Sequence, residues 1–211
     1  MSQLDSLKKL FSKNFVESPL IDSFEVGLLH LSSGKIVVCD PVITPDKSAF
    51  NQLFPKGNFP IFIHKEKESN CIAYSEVRFG EEDVVDWSLA LCDDQNLNDL
   101  AEGEIFGFPV ESGMASVMDF ETQTSLNDLE QELYKKKGVD FLGIYEEYFH
   151  PAFYDSQGAI DQFAIMKPYD KKENNMLTFE AGYGEGFYAS YIGYDKNNVP
   201  QKLITEFIEI L

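Results

Sequence analysis

The stretch Gly186-Phe-Tyr-Ala-Ser-Tyr-Ile-Gly-Tyr194, then Asp195-Lys-Asn-Asn198, then Val199-Pro-Gln-Lys-Leu-Ile-Thr-Glu-Phe-Ile-Glu-Ile210, decides how this chain is read. Two runs rich in aromatic and β-branched residues, joined by a short polar turn, are the signature of an antiparallel hairpin. Side chains alternate across a strand, so Tyr188 and Tyr194 take one face of the first run while Phe187 and Tyr191 take the other. Large aromatics on both faces predict a strand covered on both sides. A stacking platform for sugars or bases is the alternative use of such rings.

Working outward from that hairpin, residues 158–167 and 176–181 read as further strands. Near the other end, residues 24–31 and 35–40 flank Ser32-Ser33-Gly34 and are expected to pair as a hairpin. Asp40-Pro41 stops the second run, because proline donates no ladder bond and pushes its predecessor out of the helical region. Four prolines between 41 and 60 mark a long loop. Residues 60–65 and 71–79 suggest a second hairpin, and 84–92 another strand, followed by an acidic turn and a short helix over 97–102. Strands over 104–110 and 114–119 flank the bend Glu111-Ser112-Gly113.

The clearest helix covers 125–137. Thr124 or Ser125 is placed to cap it, Leu126, Leu129 and Leu133 share a face, and Lys135–Lys137 sit where the helix dipole favours cations. Gly138 is a natural stop. Residues 139–154 fit helix or strand equally. Residues 1–20 carry leucines and phenylalanines at helical spacing with interspersed lysines, and Ser2 with Asp5 resembles a capping box, so an amphipathic helix packed on the body is expected rather than a signal peptide or membrane anchor. No internal repeat stands out. Many short strands with few helices predict a mainly β, α+β single domain over 1–211, its antiparallel sheets sandwich-like or partly closed, with a few peripheral helices.

Charge is the strongest compositional signal. Sixteen lysines and one arginine, Arg78, face 36 carboxylates, for a net charge of −19. Residues 66–104 hold 12 acids against Lys67 and Arg78, a net of −10. Phosphate backbones and anionic membranes are therefore disfavoured as partners, and a basic protein is favoured. Cys39, Cys71 and Cys92 are odd in number and widely spaced, the usage of a reducing compartment such as the cytoplasm.

Several tempting motifs fail. Gly182-x-Gly184-x-Gly186 precedes a strand, so no helix N-terminus is there to receive phosphate. Asp94-x-Asn96-x-Asn98 begins like a calcium loop, but Asp99 replaces the required glycine and Ile105 the bidentate glutamate. His30, His64 and His150 have no histidine neighbour at helical spacing, and His150, beside Glu146 and Glu147, is the one nearest to carboxylates. What remains is a set of acids at strand ends: Asp40, Glu111, Asp119, Glu185 and Asp195. If pairing gathered three of them they would offer Mg²⁺ or Ca²⁺ its oxygen ligands, or divide acid and base roles. Their plainer use is to cap turns and accept backbone amides.

Three segments carry a resemblance. They are Ser33-Gly34-Lys-Ile-Val-Val-Cys-Asp40-Pro41, Val110-Glu-Ser-Gly-Met-Ala-Ser-Val-Met-Asp119, and Gly184-Glu-Gly186 with Gly193-Tyr-Asp195. Together they resemble the bacterial family known as domain of unknown function 4241, over most of the chain from about residue 25. In that family the central segment more often reads Asp-Ala-Gly and the late one Gly-Asp-Gly; here Glu111, Ser112 and Glu185 depart from it. The resemblance implies an intact domain and no particular activity.

The functional expectation is a non-enzymatic acidic interaction module without a cofactor, of which an immunity-type protein opposing a basic toxin is a concrete form. The alternative is a divalent-metal-binding protein or metal-dependent hydrolase using Glu111, Asp119, Glu185, Asp195 and His150.

Overall fold

Strand pairing separates the chain into two sheets stacked face to face in a computed structural model, which describes residues 3–101 and 103–210. The larger sheet sets side by side β1 (Ile21–Leu31), β3 (Gly57–Glu66), β4 (Ile72–Arg78), β13 (Pro200–Glu206), β12 (Gly186–Tyr194) and β5 (Asp86–Leu89), with β6 (Phe108–Val110) also on β12. The smaller sheet runs β10 (Phe163–Met166), β11 (Met176–Glu180), β7 (Met114–Asp119) and β2 (Ile36–Cys39). A short hairpin, β8 (Tyr154–Asp155) with β9 (Gly158–Ala159), stands apart, and every named pairing is antiparallel.

Alternation explains the layers. Leu29, Ile61, Val77, Ile192 and Leu203 point from the large sheet onto Val38, Val117, Leu177 and Phe179 of the small one. Each fully buried aliphatic side chain of this kind stabilises by about 1.5–3 kcal/mol. On the outer face of the large sheet, Leu7, Leu10 and Phe11 of α1 (Gln3–Phe11) seat on Tyr74, Tyr191 and Ile204. On the outer face of the small sheet, Leu126 of α2 (Phe120–Lys137) joins Ile144, Phe149 and Phe153 over Val37, Met118 and Met176. Phe149 ends a π-helical turn, Tyr145–Phe149, that Ile144 precedes, and Phe153 ends α3 (His150–Phe153).

The hairpin of β12 and β13 forms as expected, with Tyr188 and Tyr194 on the inter-sheet face and Tyr191 beneath α1. The pairing of β3 with β4 also forms. The expected hairpin of 24–31 with 35–40 does not. β1 pairs with β3 and β2 with β7, so Ser32–Lys35 carries the chain from one sheet to the other. All four residues of β2 are buried, which requires cover on both faces, whereas the middle of β1 is exposed. Gly34 makes the crossing: its φ is 77°, and a Cβ there would lie 2.6 Å from the Phe54 carbonyl oxygen.

Other boundaries also move. Helix α2 begins at Phe120, because Asp119 caps it in place of Thr124 or Ser125. It ends at Gly138 as expected, with that N–H bonded to the Tyr134 carbonyl. The strands expected over 84–92 and 104–110 contract to Asp86–Leu89 and Phe108–Val110, and the helix over 97–102 to one turn, Leu97–Asp99. Helix α1 stops at Phe11; Ser2, its expected cap, lies outside the described residues. No described helix is long and apolar enough to cross a membrane.

Candidate functional site

The two Ser-Gly bends are the same device used twice. Ser33-Gly34 leads through five residues to Asp40, and Ser112-Gly113 leads through five residues to Asp119. Each bend is a crossing from the large sheet to the small one, and the strands that follow, β2 and β7, pair antiparallel with Ile36 opposite Asp119 and Cys39 opposite Ser116. Antiparallel pairing sets the end of each strand beside the beginning of the other. Asp40 Oδ2 therefore accepts from the backbone N–H of Glu111 (3.0 Å) and Ser112 (2.8 Å), while its Oδ1 accepts from Val42 (2.9 Å) and Ile43 (3.1 Å). Asp119 Oδ2 accepts from the Ser33 N–H (3.0 Å) and hydroxyl (2.8 Å), and its Oδ1 from the Ser32 hydroxyl (3.2 Å) and the Glu121 N–H (2.9 Å). Both carboxylates are fully buried. This short Ser-Gly-x5-Asp repeat is too brief and too diverged between its fixed residues to stand out by composition.

Asp195 serves the β12–β13 turn, accepting from Asn197 N (2.8 Å), Val199 N (2.9 Å) and the Gln201 amide (3.3 Å). The backbone amides at Val199 and Asn197 hold its carboxyl below the usual range against the opposing effect of burial. Glu111 and Glu185 are exposed. His150 stacks on Tyr154, with ring centroids 5.1 Å apart, and its ring meets Tyr145 edge-on. The structure thus joins the Asp40 carboxylate to the backbone of Glu111, but among the described residues it gathers no three His, Cys, Asp or Glu side chains close enough to share a metal ion.

The two glycine segments do meet. Ala181 N–H bonds to the Gly113 carbonyl (2.9 Å), and Gly184 N–H returns to Ala181 (2.6 Å). Between them opens a cleft of about 420 Å³. Gly113, Gly182 and Gly184 line it, together with Tyr145, Phe153, Tyr154, Tyr183, Cys71 and Glu180, the last residue of β11. Burial, then Tyr154, then the carboxylates Glu146 and Glu180 push the Tyr145 phenol up from its ordinary value. Tyr183 donates to Glu66 Oε2 (3.0 Å), and that bond chiefly raises its own phenol. Both rings are neutral at neutral pH.

Both crossings, Gly113 and Gly184 of the cleft and the late glycine turn lie in the segments on which a family resemblance rests. The family described as "Protein of unknown function (DUF4241)" matches residues 29–205. The chain belongs to that family. The match takes in both repeat segments, the residues lining the cleft and the central hairpin, and leaves out α1 of this DUF4241 chain. No curated protein and no solved structure matches it.

One further cluster of the DUF4241 chain escaped the sequence reading as a group. Beneath α1 the carboxylate of Glu76 is fully buried, with His64 Nε2 at 3.0 Å, Arg78 Nε donating at 2.8 Å and Lys202 Nζ at 3.5 Å. His64 Nδ1 lies 2.8 Å from the Ser23 hydroxyl, Arg78 lies over the Phe62 ring, and Lys202 also donates to the Lys13 carbonyl. Burial alone would raise the Glu76 carboxyl. The hydrogen bond from His64 and its charge, then Lys202 and Arg78, outweigh that and hold it at about 2. Burial lowers the Lys202 ammonium, opposed chiefly by Glu76. A signal was available: Tyr74, Glu76 and Arg78 alternate on one strand face, and Lys202 and Glu206 share a face of β13 with Ile204. The three cysteines form no disulfide, and burial followed by Asp40 raises the Cys39 thiol to about 12, as a packing residue requires.

Proposed function

We propose that this DUF4241 chain is a non-enzymatic binding module whose acidic face engages a basic protein partner. The observation that carries this reading is the distribution of carboxylates around β5. That strand ends the path of the large sheet, and Glu81, Glu82, Asp86, Asp93, Asp94, Asp99 and Glu104 are exposed along and around it. In this stretch only Asp83 forms an ion pair among the described residues, with Lys13. Clustered like charges discourage edge-to-edge pairing with a similar sheet and steer a basic surface toward the strand.

The fate of the other acids supports the same reading. Asp40, Asp119 and Asp195 have their oxygens filled by amides and hydroxyls of the fold, and among the described residues no ligand set is gathered for a divalent-metal or metal-hydrolase role. An immunity-type protein that covers a basic toxin, such as a nuclease whose polyanionic substrate it imitates in charge, is the concrete form we favour, acting in the cytoplasm. Nucleic acid and anionic membrane are poor partners for the same electrostatic reason.

The test is a binding titration against a small basic ribonuclease and a lysine homopolymer, over salt from about 50 to 500 mM, where the screening length shortens severalfold. Binding that weakens about tenfold or more, and weakens again in a variant with Asp86, Asp93 and Asp94 changed to asparagine, is expected. Binding that ignores both salt and these substitutions would sink the reading.

A further inference from the structure

From the walls and charge of the cleft between the glycine segments we infer a binding site for a single organic cation, an alkylammonium or guanidinium group. It is separate from the acidic strand edge and needs no contribution from it. Four observations combine. The cleft encloses about 420 Å³, within the usual range of about 300–1,000 Å³ for small-ligand sites. Gly113 and Gly184 line it without side chains, and a Cβ built at either position would meet nothing within 4 Å. Three tyrosines, Tyr145, Tyr154 and Tyr183, contribute to its walls, and aromatic faces attract cations through the ring quadrupole.

The fourth observation is electrostatic. Glu180 lines the cleft, no described residue donates a hydrogen bond or ion pair to its side chain, and it acts together with Glu146 on the Tyr145 phenol. Glu66 stands behind Tyr183 as its hydrogen-bond acceptor. No Lys, Arg or His is among the residues lining the cleft. A neutral apolar guest would leave Glu180 desolvated without a partner, and an anion would be repelled by it. A cation satisfies the carboxylate and the ring faces at once. Glu180 then serves as counter-ion and the tyrosines as the cage, with the open space at Gly113 and Gly184 left for the alkyl stem.

Such a group reaches the cleft either as a free amine or as the side chain of a lysine in a protein, and the experiment separates the two. Backbone amide signals of Gly113, Gly182 and Gly184 are followed by NMR during titration with n-butylammonium and with the capped tripeptide acetyl-Ala-Lys-Ala-amide. The norleucine analogue of that peptide is the neutral control. Saturable shifts at these glycines with a dissociation constant of about 1–10 mM are expected for the cationic probes and not for the norleucine peptide. Tighter binding of the peptide than of the amine assigns the site to a protein side chain; the reverse assigns it to a free amine. Glu180→Gln weakens both by about fivefold or more, while Tyr154→Leu, which also lines the cleft, weakens them without removing the carboxylate. Equal shifts from the norleucine peptide, or cationic probes that leave the three glycines unmoved in wild-type protein, would overturn the inference. Salt-sensitive binding of the lysine homopolymer measured on the same Glu180→Gln sample reports separately on the acidic edge, so either assignment can fail alone.

Discussion

The buried carboxylates at the sheet crossings and those beneath α1 meet the same requirement in different ways. At the crossings, Asp40 and Asp119 are filled by backbone amides and nearby hydroxyls, and in return they fix where the chain passes from one sheet to the other. Beneath α1, Glu76 is filled by side-chain cations carried on the flat face of a sheet whose path is already set by its ladders. Glu206, on the same face, forms no ion pair with a cation among the described residues. Burial and the neighbouring Glu209 raise its carboxyl to about 7, partly offset by Tyr74 and Ser6. A carboxylate fed by amides determines topology; one fed by side chains tunes stability and its response to pH.

The largest expected effect comes from breaking the first kind. Asp40→Ala leaves four N–H groups without their acceptor, in a fully buried place. A loss of about 4 kcal/mol is expected by urea unfolding. A loss near zero would show that the crossing is held by packing alone, and the contrast drawn above would fail.

Next comes the cation-fed kind. Glu76→Gln strands the buried Lys202 and is expected to cost about 3 kcal/mol, part of which returns when Lys202→Met is added, because removing both ends of a buried pair relieves the desolvation of each. The pH dependence has a definite sign. The folded carboxyl sits at about 2, below its ordinary 4.5, so its contribution is present above pH 4.5 and disappears as the pH falls toward 2. In Glu76→Gln that part of the acid slope is absent.

Glu206 sharpens the contrast with the opposite sign. Its folded carboxyl is raised from 4.5 to about 7, so the folded state holds the extra proton, and stability declines as the pH rises from 4.5 through 7. Glu206→Gln is therefore expected to raise stability by about 2 kcal/mol at pH 8 and to change little below pH 4.5, as read by thermal or urea unfolding at the two pH values. Stabilisation of equal size at both pH values would show that packing, not charge, is responsible.

The smallest effect separates the two crossings themselves. Asp119→Asn keeps the Glu121 cap on its one oxygen and turns its NH₂ toward a single N–H, that of Ser33, and toward a hydroxyl that can accept instead, so it is expected to cost about 1 kcal/mol. At Asp40, asparagine offers one accepting oxygen where the carboxylate uses two, and its NH₂ would face N–H groups, so Asp40→Asn is expected to cost about 2 kcal/mol. The ratio of the two asparagine variants measures how much of the repeat is helix capping and how much is chain path.

Much of the strand content was legible. The β12–β13 hairpin and its Asp195 turn follow from alternation and a polar tetrapeptide, and the end of α2 from a lysine run before Gly138. The start of α2 was not, because Asp119 sits at the end of an apolar strand, where a cap has no distinguishing neighbour. The Ser33-Gly34 bend looked like a hairpin because a turn's composition records its backbone conformation and not which strands it joins. The site was legible in part. The glycine segments stood out, but the tyrosines facing them come from residues 145 and 154, in a stretch whose pattern favours neither helix nor strand.

By itself the sequence determined the class of the protein and its charge. Two-residue alternation, turn residues and the excess of acids are local or additive properties, and neither depends on which segments touch. Only the tertiary structure decided what the carboxylates do. Asp40 meets the amide of Glu111 across 71 positions, and His64 meets Glu76 across a hairpin. Hydrogen bonds act over about 3 Å whatever the distance along the chain. The same five letters of spacing therefore became a reciprocal pair of clasps once β2 and β7 lay antiparallel.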